Sequence, residues 1–196
     1  MHADLDVCAE DIAAVFAAQQ PVAAAWRSST AAQRRERLRA LRSALLARRQ
    51  ALYAAFAGDF GKPALEVELS ELLPVVDEIA AAIAGLPRWM RPRKVSPTLL
   101  TLGTHAQIGY QPKGRCLIIG PWNYPVATVL GPLVSALAAG NTAILKPSEF
   151  TPQVNAVLRE LLAEAFDPSE VAMVQGGVAT AQRLLACPFD HVFFTG

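Results

Sequence analysis

The stretch "CLIIGPWNYPVATVLGPLVSALAAGNTAILKPSEF", residues 116–150, decides how this chain is read. An apolar run ending at Ile119 meets Gly120 and then a turn in which Trp122 and Asn123 stand between Pro121 and Pro125. A long apolar segment follows, then Gly140, then a second apolar run closed by Lys146. No charged residue lies between Arg115 and Lys146, a span long enough to cross a bilayer. The glycines, prolines and asparagines that interrupt it argue instead for an α/β core, with no membrane partner. The pattern predicts a strand over 115–119, a turn over 120–125 and a helix near 126–139. Gly140 would be the left-handed cap of that helix, and a second strand would run over 142–146.

Outward toward the C-terminus the same rhythm continues. The turn "KPSEFTP" leads into a helix "QVNAVLRELLAEAF" after Pro152, then a short strand "VAMVQ" and a "GG" turn. A helix "TAQRLLAC" and a strand "HVFFTG" complete it. Four strands with helices between them predict a doubly wound, Rossmann-like parallel sheet preceded by helices. In such a sheet, ligands bind beyond the carboxyl ends of the strands. The turns "GPWNYP", "KPSEFTP", "QGGV" and the final "TG" all lie there, yet G-x-G-x-x-G follows none of the strands. The pattern alone therefore points only to a nucleotide-sized ligand.

Toward the N-terminus, residues 8–26 read as a helix, and a second helix begins at Thr30, where "TAAQ" forms a capping box. Leu38, Leu41, Leu45 and Leu52 fall on one face of it. Arg34, Arg35, Arg37, Arg39, Arg42, Arg48 and Arg49 fall on the others and read as a solvated face, not a phosphate-binding stripe. "GDFGKP" (58–63) closes this helix, and 64–86 form another that Pro74 kinks or divides. Glu66, Glu68, Glu71, Asp77 and Glu78 have no His or Cys at ligand spacing, so they read as solvated positions and no metal site is expected. "RWMRPRKVSP" (88–97) is a basic connector. The β-prone "TLLTLGTHAQIGYQPKG" follows, with Gly103 and Gly109 as turns and His105 as a surface or packing residue.

Composition sets outer limits. The chain has 196 residues, 53% apolar and 18% charged, with a net charge of +1, so no general affinity for nucleic acid is expected. Cys8, Cys116 and Cys187 fit neither a disulfide framework nor a zinc pattern, which indicates a reducing compartment. The N-terminus carries acids where an export signal carries bases, so the expected location is cytoplasmic.

The turn residues carry chemistry. Lys146 and Glu149 can hydrogen-bond ribose hydroxyls at the sheet edge. Asn123 can donate two N–H bonds from a proline-stiffened turn, which suits a developing oxyanion. An asparagine that satisfies backbone groups of its own turn is the commoner arrangement, and spacing alone favours it.

"GPWNYPVATVLGPLVSALAAGNTAILKPSEFTP" followed by "FDHVFFTG" resembles the aldehyde dehydrogenase superfamily. The similarity is to its short-N-terminus branch, which includes the fatty aldehyde and coniferyl aldehyde enzymes, the coniferyl type looking most similar. "DFGKP", "RWMRPRKV" and "YQPKG" sit where that branch has similar segments. The resemblance implies that Asn123 stabilises the oxyanion and that Ile119, Pro121 and Trp122 lie along the nicotinamide half of NAD or NADP. It implies that Lys146 and Glu149 bind the adenosine ribose, and that Thr195 and Gly196 open a turn facing the pyrophosphate. Glu149 leans toward NAD, because a carboxylate there repels a 2′-phosphate. On this reading residues 1–95 are the helical part of the cofactor domain, 96–113 join a bridging, oligomer-forming sheet, and 114–196 begin the NAD(P)-binding α/β domain. The substrate would be a small-molecule aldehyde, oxidised to its acid by a homodimer when full length.

The family's cysteine nucleophile and water-activating glutamate lie further along than Gly196. Cys116 falls in a buried strand, and Cys187 matches no family nucleophile. The 196 residues are therefore expected to be the N-terminal part of the enzyme and inactive alone. The alternative is a non-catalytic remnant that binds nucleotide or joins a family oligomer. "HVFFTG" would leave an open, apolar sheet edge, which favours the first reading.

Overall fold

The computed structural model describes residues 9–196; Cys8 and the acidic positions Asp4 and Asp6 lie outside them. Helix α1 (Ala9–Trp26) is followed by α2 (Ala31–Ala47), which opens with the expected capping box. Gln33 N–H donates to the Thr30 hydroxyl at 3.3 Å, and Thr30 N–H donates to the Gln33 side chain at 2.8 Å. The single helix expected through Leu52 is broken at Arg48 and resumes as α3 (Arg49–Phe60), closed by the left-handed Gly61. All four leucines are buried nonetheless.

The arginines correct the sequence reading, because only some of that face is solvated. Arg34 is buried, donating to the Ser29 hydroxyl at 2.9 Å and to the Ala138 carbonyl at 3.1 Å. Arg37 pairs with Glu170 at 2.7 Å, Arg48 with Glu160 and Glu164, and Arg49 with Glu68. Folding brings acids from later segments against these bases, which a one-dimensional charge count does not register.

The next helix is continuous but not uniform. A short α4 (Ala64–Val67) passes through one π-turn (Glu68–Leu72) into α5 (Leu73–Trp89). Leu73 N–H reaches back five residues to the Glu68 carbonyl, and Pro74, which has no N–H to donate, follows at once. The widened turn absorbs the proline without dividing the helix.

Past α5, β1 (Arg93–Val95), supplied by the basic connector, pairs antiparallel with β2 (Ala106–Ile108). The expected long strand region is mostly a loop, with a 3-10 turn at Leu99–Thr101 and Gly103 at φ 89°. Leu99 and Leu100 are 93% and 98% exposed on this ribbon, and His105 is also exposed.

The α/β part follows the predicted rhythm: β3 (Arg115–Ile119), α6 (Ala127–Ala139), β4 (Thr142–Lys146), α7 (Pro152–Ala165), β5 (Val171–Met173), α8 (Val178–Leu185) and β6 (His191–Phe194). The four strands form one parallel sheet in the order β5-β4-β3-β6. Successive side chains of β3 enter opposite faces. Cys116 and Ile118 join the core beneath α6 and α7, whereas Leu117 and Ile119 pack with Ile12, Phe16 and Leu184 of α1 and α8. Burial on both faces is why β3 and β4 read as unbroken apolar runs. Among the described residues, no helix is long and apolar enough to cross a membrane.

Candidate functional site

The strand order reverses at β3: the chain moves outward to β4 and β5, then returns to place β6 on the other flank. Crevices at such reversals, beyond the carboxyl ends, are where open α/β sheets bind ligands. The register aligns Ile119 with Lys146 on one side and with Phe194 on the other. Gly120 N–H donates to the Lys146 carbonyl at 3.1 Å, and Thr195 N–H donates to the Ile119 carbonyl at 3.0 Å. The turns holding Pro121, Trp122 and Asn123, Lys146 and Glu149, and Thr195 and Gly196 therefore open along one edge.

Gly120 is required by packing. A Cβ there would lie 2.5 Å from a Val129 methyl, so only glycine lets α6 start this close to β3. After it, Pro121 is half-buried, Pro125 is buried, and Trp122, Asn123 and Tyr124 are exposed. Among the described residues, nothing in its own turn holds the Asn123 amide by a hydrogen bond; its backbone carbonyl accepts from Lys62 Nζ at 3.4 Å. The side chain is thus available to a ligand, and the turn is held by other groups.

Those groups were missed in the sequence. Glu71, expected to be solvated, has 0% exposure. Its carboxylate accepts from Val126 N–H at 3.1 Å and Ala127 N–H at 2.9 Å, and pairs with Lys62 at 3.1 Å. Burial raises its pKa, opposed by the Ala127 N–H, by Lys62 and by the Val126 N–H. The residue at the start of α6 offers no side-chain cap, so Glu71 satisfies amides that the helix leaves free. Its sequence signal was its place in the buried stripe Val67, Glu71, Val75, Ile79 at a spacing of four. Glu68 and Glu78 are also engaged, with Arg49 and Ser135, while Glu66 and Asp77 are exposed as expected.

At the end of β4, Lys146 is 5% exposed and its ammonium lies 3.2 Å from Glu149. Burial pushes the Glu149 carboxyl up, but its own backbone N–H and Lys146 outweigh this and hold it below the ordinary carboxylate value. A Cβ at Gly177 would come within 3.5 Å of Glu149, so the "GG" turn lies beside that carboxylate. The loop is fixed from beneath by Asn155, which donates to the Ser148 carbonyl at 2.7 Å, and by Thr151, which donates to the same carbonyl at 3.3 Å.

Among the described residues, neither Cys116 nor Cys187 offers an activated nucleophile. Cys116 is buried, and burial pushes its thiol up to about 11, reinforced by Asp190. Cys187 is half-buried and also raised, by burial, against a smaller opposing effect of Arg115. Among the described residues, no cluster of His, Cys, Asp and Glu could hold a metal ion.

A model of the aldehyde dehydrogenase family matches residues 6–196. Aldehyde dehydrogenase family 3 member B1 of Bos taurus is 44% identical over 170 residues, 87% of this chain and 36% of that protein. A Pseudomonas aeruginosa protein named "Probable coniferyl aldehyde dehydrogenase" is 40% identical over 184 residues, 93% of this chain and 39% of that protein. The solved "Substrate bound state of Staphylococcus Aureus AldH" superimposes with a TM-score of 0.92 at 35% identity, over 94% of this chain and 40% of that one. The chain thus spans about two fifths of the length of the curated relatives it matches. Matched over nearly all its residues in sequence and in fold, it belongs to the aldehyde dehydrogenase family.

Proposed function

We propose that this chain is the N-terminal part of an NAD(P)-dependent aldehyde dehydrogenase, and that it supplies the oxyanion donor and part of the cofactor floor. The observation that carries the reading is the Asn123 turn, with an exposed amide free of its own backbone at the strand reversal. A neutral N–H donor there stabilises negative charge on a substrate carbonyl oxygen as a nucleophile adds. Because its position is set by protein contacts, no reorganisation is needed at that moment.

The residues at the β4 end fit a dinucleotide by the chemistry of their donors. Lys146 donates and Glu149 accepts, a pair suited to the two hydroxyls of a ribose. The missing G-x-G-x-x-G also has an explanation. The start of the first crossover helix, where that fingerprint places a pyrophosphate, is occupied by the Glu71 carboxylate. The phosphates would lie instead toward the turn at Thr195 and Gly196. When bound, the nicotinamide would accept the hydride from the substrate. Glu149, charged at neutral pH, supports NAD over NADP. The exposed leucines of the β1–β2 ribbon support a role in homodimer formation.

The native protein's intact mass tests the proposal first. A mass more than twice 21.0 kDa is expected, with aldehyde-dependent NADH formation by that species and none by the 196-residue chain. A native mass of 21.0 kDa would overturn it in favour of a non-catalytic, nucleotide-binding role. An Asn123→Ala variant of the whole enzyme should lose about 100- to 1000-fold in turnover.

A further inference from the structure

Asn123 does not orient its own turn, and the prolines beside it limit only φ. What fixes the turn in space comes from elements far away in sequence. Glu71, on the π-turn, accepts both amides that open α6. Lys62, just past α3, pairs with Glu71 and donates to the carbonyl of Asn123 itself. The Lys62 ammonium also lies 4.5 Å from the Tyr124 ring, and Phe60 stacks on Trp122 at 6.2 Å between ring centroids. Both neighbours of Asn123, its own carbonyl and the two residues after Pro125 are thus all gripped by residues 60–71.

We propose that Lys62 and Glu71 are positioning residues: as an ion pair between a half-buried lysine and a buried carboxylate, they set the backbone from which the Asn123 amide reaches the substrate oxygen. The proposal rests on the function put forward above. A carboxylate removed wholly from water is costly. Here it is retained where it ties a lysine and two helix-opening amides to the one turn carrying the oxyanion donor. Catalytic donors must be held close to their productive geometry, and a displacement of about 1 Å costs on the order of 100-fold in rate.

The test uses Glu71→Gln, with Lys62→Met as a second variant and Lys62→Arg as the conservative one. In the full-length enzyme, amide hydrogen exchange should quicken at Val126 and Ala127 in Glu71→Gln by about tenfold, the scale of one charge-assisted hydrogen bond. Amides within α7 should be unchanged. Equal acceleration throughout would mean general destabilisation and would overturn the proposal.

In the full-length enzyme, assayed with hexanal and benzaldehyde, Glu71→Gln and Lys62→Met should lower kcat by about 10- to 100-fold. KM for NAD should stay within about twofold, and Lys62→Arg should recover part of the loss. Added to Asn123→Ala, the Glu71 change should have little further effect, because the two act through one donor. If Asn123→Ala is severe but Glu71→Gln and Lys62→Met retain full kcat, the positioning role is wrong and the oxyanion reading stands. If Asn123→Ala itself is harmless, the oxyanion reading falls, and this proposal with it. If Glu71→Gln does not fold, the Lys62 variants decide by the same criteria.

Discussion

Substituting Gly140→Ala tests how tightly the sheet and its helical layer are coupled. Gly140 closes α6 at φ 86°, in the left-handed region, and the chain turns there into β4. An alanine in that region costs about 1–2 kcal/mol from its Cβ alone. The structure adds a second penalty. The new methyl would lie 2.6 Å from both Cζ and Nη2 of Arg34, and 2.9 Å from Nε. That guanidinium cannot stay, yet it is buried and donates to the Ala138 carbonyl near the end of α6. Losing a hydrogen bond from a charged donor costs about 1.5–3 kcal/mol. Together these give about 2.5–5 kcal/mol, a large part of an ordinary domain's stability.

Urea unfolding of the chain, followed by circular dichroism, would show this as a lower midpoint at unchanged slope. The control is Arg34→Met, whose flexible thioether can move aside. In that background Gly140→Ala should cost only its backbone share, about 1–2 kcal/mol, leaving a coupling of about 2 kcal/mol between the two sites. A Gly140→Ala cost below about 1 kcal/mol, or the same cost in both backgrounds, would refute the reasoning.

Three further outcomes follow from titratable groups. With its thiol pushed up to about 11, Cys116 should alkylate with iodoacetamide at pH 8 at least about 100-fold more slowly in the native chain than in denaturant; equal rates would mean the strand is not buried. Glu149→Gln should remove repulsion toward a 2′-phosphate and tighten NADP relative to NAD by about tenfold, read by calorimetric titration with each; an unchanged ratio would remove Glu149 from the ribose site. Burial raises the Glu71 pKa in the folded chain, so the folded state binds this proton more readily than the unfolded state. The stability difference between the wild type and Glu71→Gln should therefore move toward the wild type as pH falls through that raised value toward the ordinary glutamate range. Movement the other way in paired urea titrations would show that Lys62 and the two amides outweigh burial and hold the carboxylate charged.

The parts of the fold legible in the sequence were those written in local punctuation. Gly140 announced a helix end, the Thr30 box a helix start, and the uncharged run between Arg115 and Lys146 a pair of strands buried on both faces. What stayed hidden depends on partners far along the chain. The break at Arg48 leaves the leucine spacing intact, so periodicity alone passes over it. Pro74 signalled an irregularity, but a π-turn and a kink look identical in one dimension. Glu71 and Val126 are 55 residues apart, and no local pattern links them. Lys146 and Glu149 were legible from turn chemistry at the sheet edge, whereas Ile119, Pro121, Trp122 and Thr195 were named only through the resemblance; the register brings their turns to one edge.

The short segment 59–62 shows why that edge needs support from outside the sheet. Asp59 accepts from the backbone N–H groups of Gln153 at 3.3 Å and Val154 at 2.9 Å, capping α7. Phe60 stacks on Trp122, and Lys62 pairs with Glu71 beneath the start of α6. Between them Gly61, at φ 64°, turns the chain sharply enough for neighbouring residues to reach two different loops. One tight corner after α3 therefore fixes the opening of the helix that follows β3 and of the helix that follows β4. The sheet sets the spacing of the two loops, but hydrogen bonds between strands stop where the strands stop. Beyond that point each loop would be free to tilt about its last strand residue, and an amide several residues out would move with it. A helical layer that grips both loops removes that freedom, so the Asn123 amide and the Lys146–Glu149 pair keep one relative placement.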